Sequence, residues 1–350
     1  MINFFIYTFF LLVSIVGTFL SNNWFLLWLL IELNSLCLIP IISNNISVRC
    51  LEATSKYYIF QALGSVVLLL GIFVRFLFFG EIVLLGTYNF LSIFIIILGL
   101  VIKVGVFPLH FWFIDVVSGL KFYEGIFVVV ISKIIPVYLL IILSNKESQL
   151  LFWGIGLISI IIGSVFGISQ IQLRKVLGLS SVSHLGWLMI LFPIVSMSSS
   201  VFLFLVYIVM ILPIFWIGNV YSVEHFCKLK GLWSNLSFVL IFSVSILSLS
   251  GFPPLLGFFY KGFMLYILGN SGNFLIISVL IILSLVSLYF YLNLVFFLIS
   301  YSWPNVKFLL NNSFIFNFWG NSFFILIFVF YHIFIFILVF MIGPLNLEFF

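Results

Sequence analysis

Long hydrophobic runs decide what this chain can fold into. Eleven of them, at residues 4–20, 24–42, 57–79, 91–113, 124–143, 150–168, 176–193, 199–220, 236–268, 273–300 and 322–342, approach or exceed the roughly 20 residues that a helix needs to cross a bilayer. Only 6% of the 350 residues are charged, against 65% hydrophobic. A water-soluble surface takes roughly a quarter or more charged residues. The reading is an all-α polytopic membrane protein with about eleven transmembrane helices. The largest polar segments are residues 43–56 and 301–322, which leaves no room for a soluble domain and favours a single membrane domain over 1–350.

The net charge of +5 comes from scattered rather than striped basic residues, so it gives no nucleic-acid footprint. Cys37, Cys50 and Cys227 form no CxxC and have no histidine at ligand spacing, so neither a disulfide framework nor a metal site is indicated. No Arg-rich transit segment precedes the first run and no small-residue cleavage site follows it, so the chain is expected to insert whole.

The basic residues read instead as topology. Loops after even-numbered spans hold Arg49, Lys56, Lys121, Arg174, Lys175, Lys228, Lys230 and Lys307, and loops after odd-numbered spans hold Arg75 and Lys146. The positive-inside rule then puts the N-terminus on the inner side and the C-terminus on the outer side. Three basic residues are left without a loop: Lys103, Lys133 and Lys261. Among the acids, Glu32 alone sits at the centre of a span. Each such charge costs on the order of 3 kcal/mol at a helix centre, so the four must be paired or hydrated.

Each has an ordinary alternative. Lys103 lies within two turns of Pro108 and can snorkel to the headgroups; Lys261, beyond Pro253 and Pro254, can lie at an interface. Glu32 can be a satisfied acid beside Asn34 or Ser35. Lys133 is hardest to excuse, being about eight residues, roughly 12 Å, from Gly125 and further from Ser144. A buried amine and a buried carboxylate each favour the neutral form, yet together they stabilise one another's charge, so a small movement between them moves a proton. Glu32, Lys103, Lys133 and Lys261 are therefore candidates for a proton relay, with His110, His184, Tyr260 and Ser132 as further polar stations. His110, beside Phe111 and Trp112, suits an interfacial aromatic belt equally well.

Spans 1–5 and 6–10 make two five-helix units, residues 1–145 and 146–300, with 301–350 as a connecting loop and C-terminal helix. An odd helix count inverts the second unit relative to the first. Span 4 carries Lys103 and Pro108, and its counterpart, span 9, carries Pro253, Pro254 and Lys261. Paired interrupted helices of this kind mark translocation sites.

Several segments now carry a resemblance: WLLIELNSLCLIP around Glu32, EATSKYYIFQALGS from Glu52, IKVGVFPLHFWFIDV from Ile102, SKIIPV around Lys133, QLRKVLGLSSVSHLGW from Gln172, GFPPLLGFFYK up to Lys261 and LYFYLNL from Leu288. Together they resemble the antiporter-like membrane subunits of respiratory NADH:ubiquinone oxidoreductase (complex I), in the eleven-helix form of animal mitochondria. After Leu294 the match is mainly one of hydrophobicity. The family usually continues HFW with Val-Pro-Glu, whereas this chain has Phe113, Ile114 and Asp115, which questions any role that needs glutamate's reach or that proline's bend.

The resemblance implies that Glu32 pairs with Lys103, that Lys133 is the central relay and that Lys261 belongs to a second half-channel. It implies an inner mitochondrial membrane location, with the N-terminus in the matrix, and neighbouring membrane-arm subunits of complex I as partners rather than a stand-alone monomer. NADH, FMN, iron–sulfur clusters and ubiquinone would be bound by other subunits. The lack of a dinucleotide fingerprint and the scarcity of cysteine agree with that division. Arg174 and Lys175 fit either a cardiolipin headgroup or a plain topology signal. Two other readings stay open: a stand-alone cation/proton antiporter, and a structural anchor with no proton path.

Overall fold

The computed structural model describes residues 2–44, 47–84, 86–170, 172–220, 236–253 and 255–300. Among them the chain is helical, and Asn23 and Val83 form an isolated antiparallel bridge. The helices are α1 (Ile2–Leu20), α2 (Trp24–Ile42), α3 (Val48–Phe79), α4 (Phe90–Val104), α5 (Phe111–Gly119), α6 (Phe122–Ile126), α7 (Ser132–Leu143), α8 (Gln149–Ile168), α9 (Leu173–Leu191), α10 (Met197–Val220), α11 (Leu236–Ser250), α12 (Leu256–Asn270) and α13 (Phe274–Ser300). A π-helical turn, Phe127–Ile131, joins α6 to α7, and a short 3-10 turn, Lys146–Ser148, precedes α8. Six described segments are long and apolar enough to cross a membrane: Trp24–Ile42, Val48–Phe79, Phe122–Leu143, Lys146–Ile168, Met197–Val220 and Phe274–Phe296. The expected eleventh span, 322–342, lies outside the described residues.

Three expected boundaries move. α3 begins at Val48, not near residue 57, because Ser47 caps it: the Ser47 hydroxyl accepts from Cys50 N at 3.2 Å. Glu52 and Lys56 therefore stand on a helix, with Lys56 Nζ 2.8 Å from Glu52 one turn away. Span 4 is two helices, and its break starts at Gly105 (φ 77), ahead of Pro108, because the left-handed residue ends α4 first. Arg75 belongs to no loop: it is buried inside α3, its guanidinium donating to Val83 O and, at 3.2 Å, to Thr87 O.

Two compact units result, one of Met1–Gly163 with Arg174–Val201, the other of Ser164–Leu173 with the described residues from Phe202 onward. In the first, α3 and α4 press together through bare backbone. A Cβ at Gly99 would lie 2.7 Å from Leu68 N, and one at Gly71 would lie 2.9 Å from Ile96 N. Small residues at such contacts are how helices associate in lipid, where apolar surface gives no net drive. α8 meets α9 likewise: a Cβ at Gly163 would lie 2.7 Å from Leu179 O, and one at Gly156 would lie 2.8 Å from Gly186 O. α9 is the most polar of the long helices, with Arg174, Lys175, Ser180, Ser181, Ser183 and His184, and from Val176 to Leu191 it is buried throughout. A helix with those side chains can sit at membrane depth only when protein encloses it.

In the second unit α11 and α12 are halves of the ninth span, parted at Gly251 (φ 85), and α13 packs against both. The expected break at Gly251–Pro253 is therefore present; Pro254 lies outside the described residues.

Candidate functional site

Lys103 occupies the last turn of α4, where unpaired carbonyls give the helix end a partial negative charge that favours a cation. Those carbonyls are served individually. Gly105 N–H donates to Val101 O (3.0 Å), Trp112 Nε1 to Ile102 O (3.1 Å) and Gln61 Nε2 to Lys103 O (3.1 Å). The lysine stem runs over Gly64, where a Cβ would lie 2.7 Å from Lys103 Cγ. Lys103 Nζ stands 3.5 Å from Glu32 Oε1, with the lysine side chain 0% exposed and the glutamate 23% exposed. The pair is thus asymmetric: its amine is sealed in, and its acid faces accessible space. At 3.5 Å the contact is long for a charge-assisted hydrogen bond, so a small shift parts it. The Ser35 hydroxyl approaches Glu32 Oε2 at 3.5 Å while donating to Glu32 O at 2.9 Å.

Lys133 follows the π-helical turn at the start of α7 and is 0% exposed. The wider turn pairs Ser132 N–H with Phe127 O, and Pro136 leaves Ser132 O without its usual helical donor. Lys133 Nζ donates to Ser181 Oγ on α9 at 3.3 Å and lies 3.7 Å from the centroid of the Phe113 ring on α5. Among the described residues it joins no ion pair.

Lys261 lies in the second turn of α12 and reaches back across the break. Its Nζ donates to Ser250 O, the last residue of α11, at 2.8 Å, and to Ser287 Oγ on α13 at 3.2 Å. A Cβ at Gly251 would lie 3.0 Å from Lys261 Cδ, so the missing side chain leaves the stem its path. This ammonium ends at the C-terminus of the first half-helix, although it is carried by the second.

The lesser candidates differ in placement. His110 is buried between α4 and α5, its ring 3.9 Å from that of Phe111. His184 lies inside α9, and Tyr260 is buried beside Lys261 on α12. Ser132 donates to Val128 O at 2.6 Å within its own helix, and the hydroxyl that meets Lys133 belongs to Ser181. Asp115 reaches Lys56 Nζ at 3.1 Å, so the shorter acid suffices for an ion pair between α3 and α5. Arg174 donates to Leu120 O, anchoring the turn before α6. Among the described residues no group of three or more His, Cys, Asp or Glu could hold a metal.

Sequence reasoning missed Ser181, Ser250 and Ser287, which meet the lysine ammoniums, and Gln61 and Trp112, which take up the last carbonyls of α4. The prolines signalled the breaks, and Gly105 and Gly251, glycines a few residues ahead of them, mark where the first half-helices end.

The family described as NADH:quinone oxidoreductase/Mrp antiporter, TM, matches residues 21–288. The chain is 31% identical over 280 residues to NADH-ubiquinone oxidoreductase chain 2 of Oryctolagus cuniculus, covering 80% of each sequence. It is 34% identical over 289 residues to the same-named chain of Polypterus ornatipinnis, covering 82% of this chain and 83% of that one. Among solved structures, a chain of respiratory complex I from Thermus thermophilus with bound aureothin superposes with a TM-score of 0.75 at 21% identity, covering 85% of this chain and 71% of that one.

Proposed function

This chain belongs to the NADH:quinone oxidoreductase/Mrp antiporter family of membrane proteins, and from that premise we propose how it moves protons. It is an antiporter-like membrane-arm subunit of proton-pumping NADH:ubiquinone oxidoreductase, of the chain 2 type, spanning the inner mitochondrial membrane several times. Glu32 and Lys103 act as the switch, Lys133 as the relay and Lys261 as the far gate, with His110, His184 and Tyr260 as auxiliary stations. Redox chemistry takes place on other subunits, which bind NADH, FMN, the iron–sulfur clusters and ubiquinone, while this chain responds through neighbouring membrane-arm subunits. The finer architecture in this proposal is eleven spans forming one membrane domain, in two inverted five-helix repeats plus a C-terminal helix. Its N-terminus lies in the matrix and its C-terminus in the intermembrane space, and cardiolipin is a candidate lipid at the basic inner face.

The observation that carries the reading is the long, asymmetric Lys103–Glu32 contact at the end of a broken helix. A fixed structural ion pair would be shorter and more evenly buried. Separating the two charges makes each unstable in a low-dielectric interior, which drives a proton off the amine or onto the acid. The acid is the member within reach of accessible space, so exchange with that space runs through Glu32.

Lys103→Met in the assembled complex tests this. The proton-to-electron ratio should fall while the complex still assembles, and an unchanged ratio with intact assembly would refute the switch. A free antiporter, the family's other activity, would exchange ions alone in liposomes. A membrane-arm subunit should instead co-migrate with NADH-oxidising activity on a native gel.

A further inference from the structure

We infer that Phe113 is the positioning residue for Lys133, coupling the broken helix that carries Lys103 to the central relay. The inference rests on the relay reading of Lys133. The buried ammonium meets a hydroxyl, Ser181 Oγ at 3.3 Å, and an aromatic face, the Phe113 ring at 3.7 Å to the centroid. A ring face attracts an ammonium, most strongly when both are out of water, but it offers no lone pair that can accept a proton. Phe113 therefore holds the charge in place without taking its proton. Proton exchange is left to the Ser181 hydroxyl.

The ring is set by the break. Phe113 stands in the first turn of α5 and is 0% exposed. Gly105, the left-handed residue that ends α4, packs directly on it: a Cβ at Gly105 would lie 2.6 Å from Phe113 Cβ. Gly105 is itself two residues from Lys103. The segment 105–113 thus has one end at the Lys103–Glu32 pair and the other on Lys133, so a shift of the break when that pair parts also shifts the ring over the relay lysine.

The test uses the assembled complex carrying Phe113→Leu, Phe113→Tyr, Gly105→Ala or Lys133→Met, reading the proton-pumping rate against NADH oxidation, with assembly checked on native gels. Phe113→Leu fills similar volume without a ring and should lower pumping roughly fivefold at unchanged assembly, whereas Phe113→Tyr should retain it. Gly105→Ala combined with Phe113→Leu should be no worse for pumping than the poorer of the two alone. Equal losses in the Leu and Tyr variants, or strictly additive losses in the double variant, would mean ordinary packing and overturn the inference. Normal pumping by Phe113→Leu alongside defective Lys133→Met would overturn it while leaving the relay intact. Normal pumping by Lys133→Met would instead remove the relay reading. Should the Leu variant not assemble, Phe113→Met carries the same comparison.

Discussion

The two broken helices answer one electrostatic problem in different ways. At Gly105 and at Gly251 a left-handed glycine ends the first half-helix, and a buried lysine stands at each break. Lys103 comes from the half-helix that ends there and faces a carboxylate at 3.5 Å. Lys261 comes from the half-helix beyond and is held by a carbonyl at 2.8 Å and a hydroxyl at 3.2 Å, with no ion pair among the described residues. A carbonyl dipole is fixed, whereas a carboxylate can be neutralised. In the proposed function the first break is the one that changes state, and the second receives a charge without a titrating partner.

The largest expected effect separates them directly. Glu32→Gln keeps the shape but strands the Lys103 charge, and pumping should fall more than tenfold, since an unpaired buried charge costs about 3–5 kcal/mol. Ion-pair loss that left pumping near normal would erase the distinction between the breaks. Next come the glycines. Alanine in the left-handed region costs roughly 1–2 kcal/mol at either site. Gly105→Ala also meets Phe113 Cβ at 2.6 Å, a rigidly placed atom, while Gly251→Ala meets the flexible Lys261 stem at 3.0 Å. Gly105→Ala should therefore lower the yield of assembled complex more, and the reverse order would break the comparison.

Ser287→Ala removes one of two partners of Lys261 and leaves the Ser250 carbonyl, so pumping should drop only about two- to threefold. A loss as deep as that of Glu32→Gln would mean that the hydroxyl, not the carbonyl end, holds the charge. The smallest effect is at the surface, where Lys56 and Asp115 have side chains 36% and 50% exposed. Exposed pairs contribute little. Asp115→Asn should leave pumping unchanged, and a pumping defect there would extend the first site out to α5's solvent face.

Much of this was legible in the sequence because lipid is an unforgiving solvent. Runs near 20 residues pointed to an all-helical membrane chain, and charges without a loop drew out Glu32, Lys103, Lys133 and Lys261, since each breach of the apolar pattern has to be compensated. What escaped has equally physical causes. Pro108 drew attention as the visible helix breaker, yet Gly105 ends α4, because a left-handed residue closes a helix before a proline three residues on can. In α9, hydroxyls and charges dilute the apolar pattern. Enclosure by protein, which no single segment encodes, is what makes it tenable. Arg75 looked like a loop charge, but its long stem lets the guanidinium reach loop carbonyls from within α3. Ser181, Ser287 and Gln61 are ordinary polar residues until tertiary packing aims them at the lysines and their backbone.

The central claim is that Glu32 and Lys103 work as one device, and a double-mutant cycle on proton pumping in the assembled complex tests it most directly. Glu32→Gln, Lys103→Met and the double variant would be compared at matched NADH oxidation. The double variant should pump no worse than the poorer single one, because each substitution already disables the same pair. Losses that multiply would show two independent sites and contradict the switch.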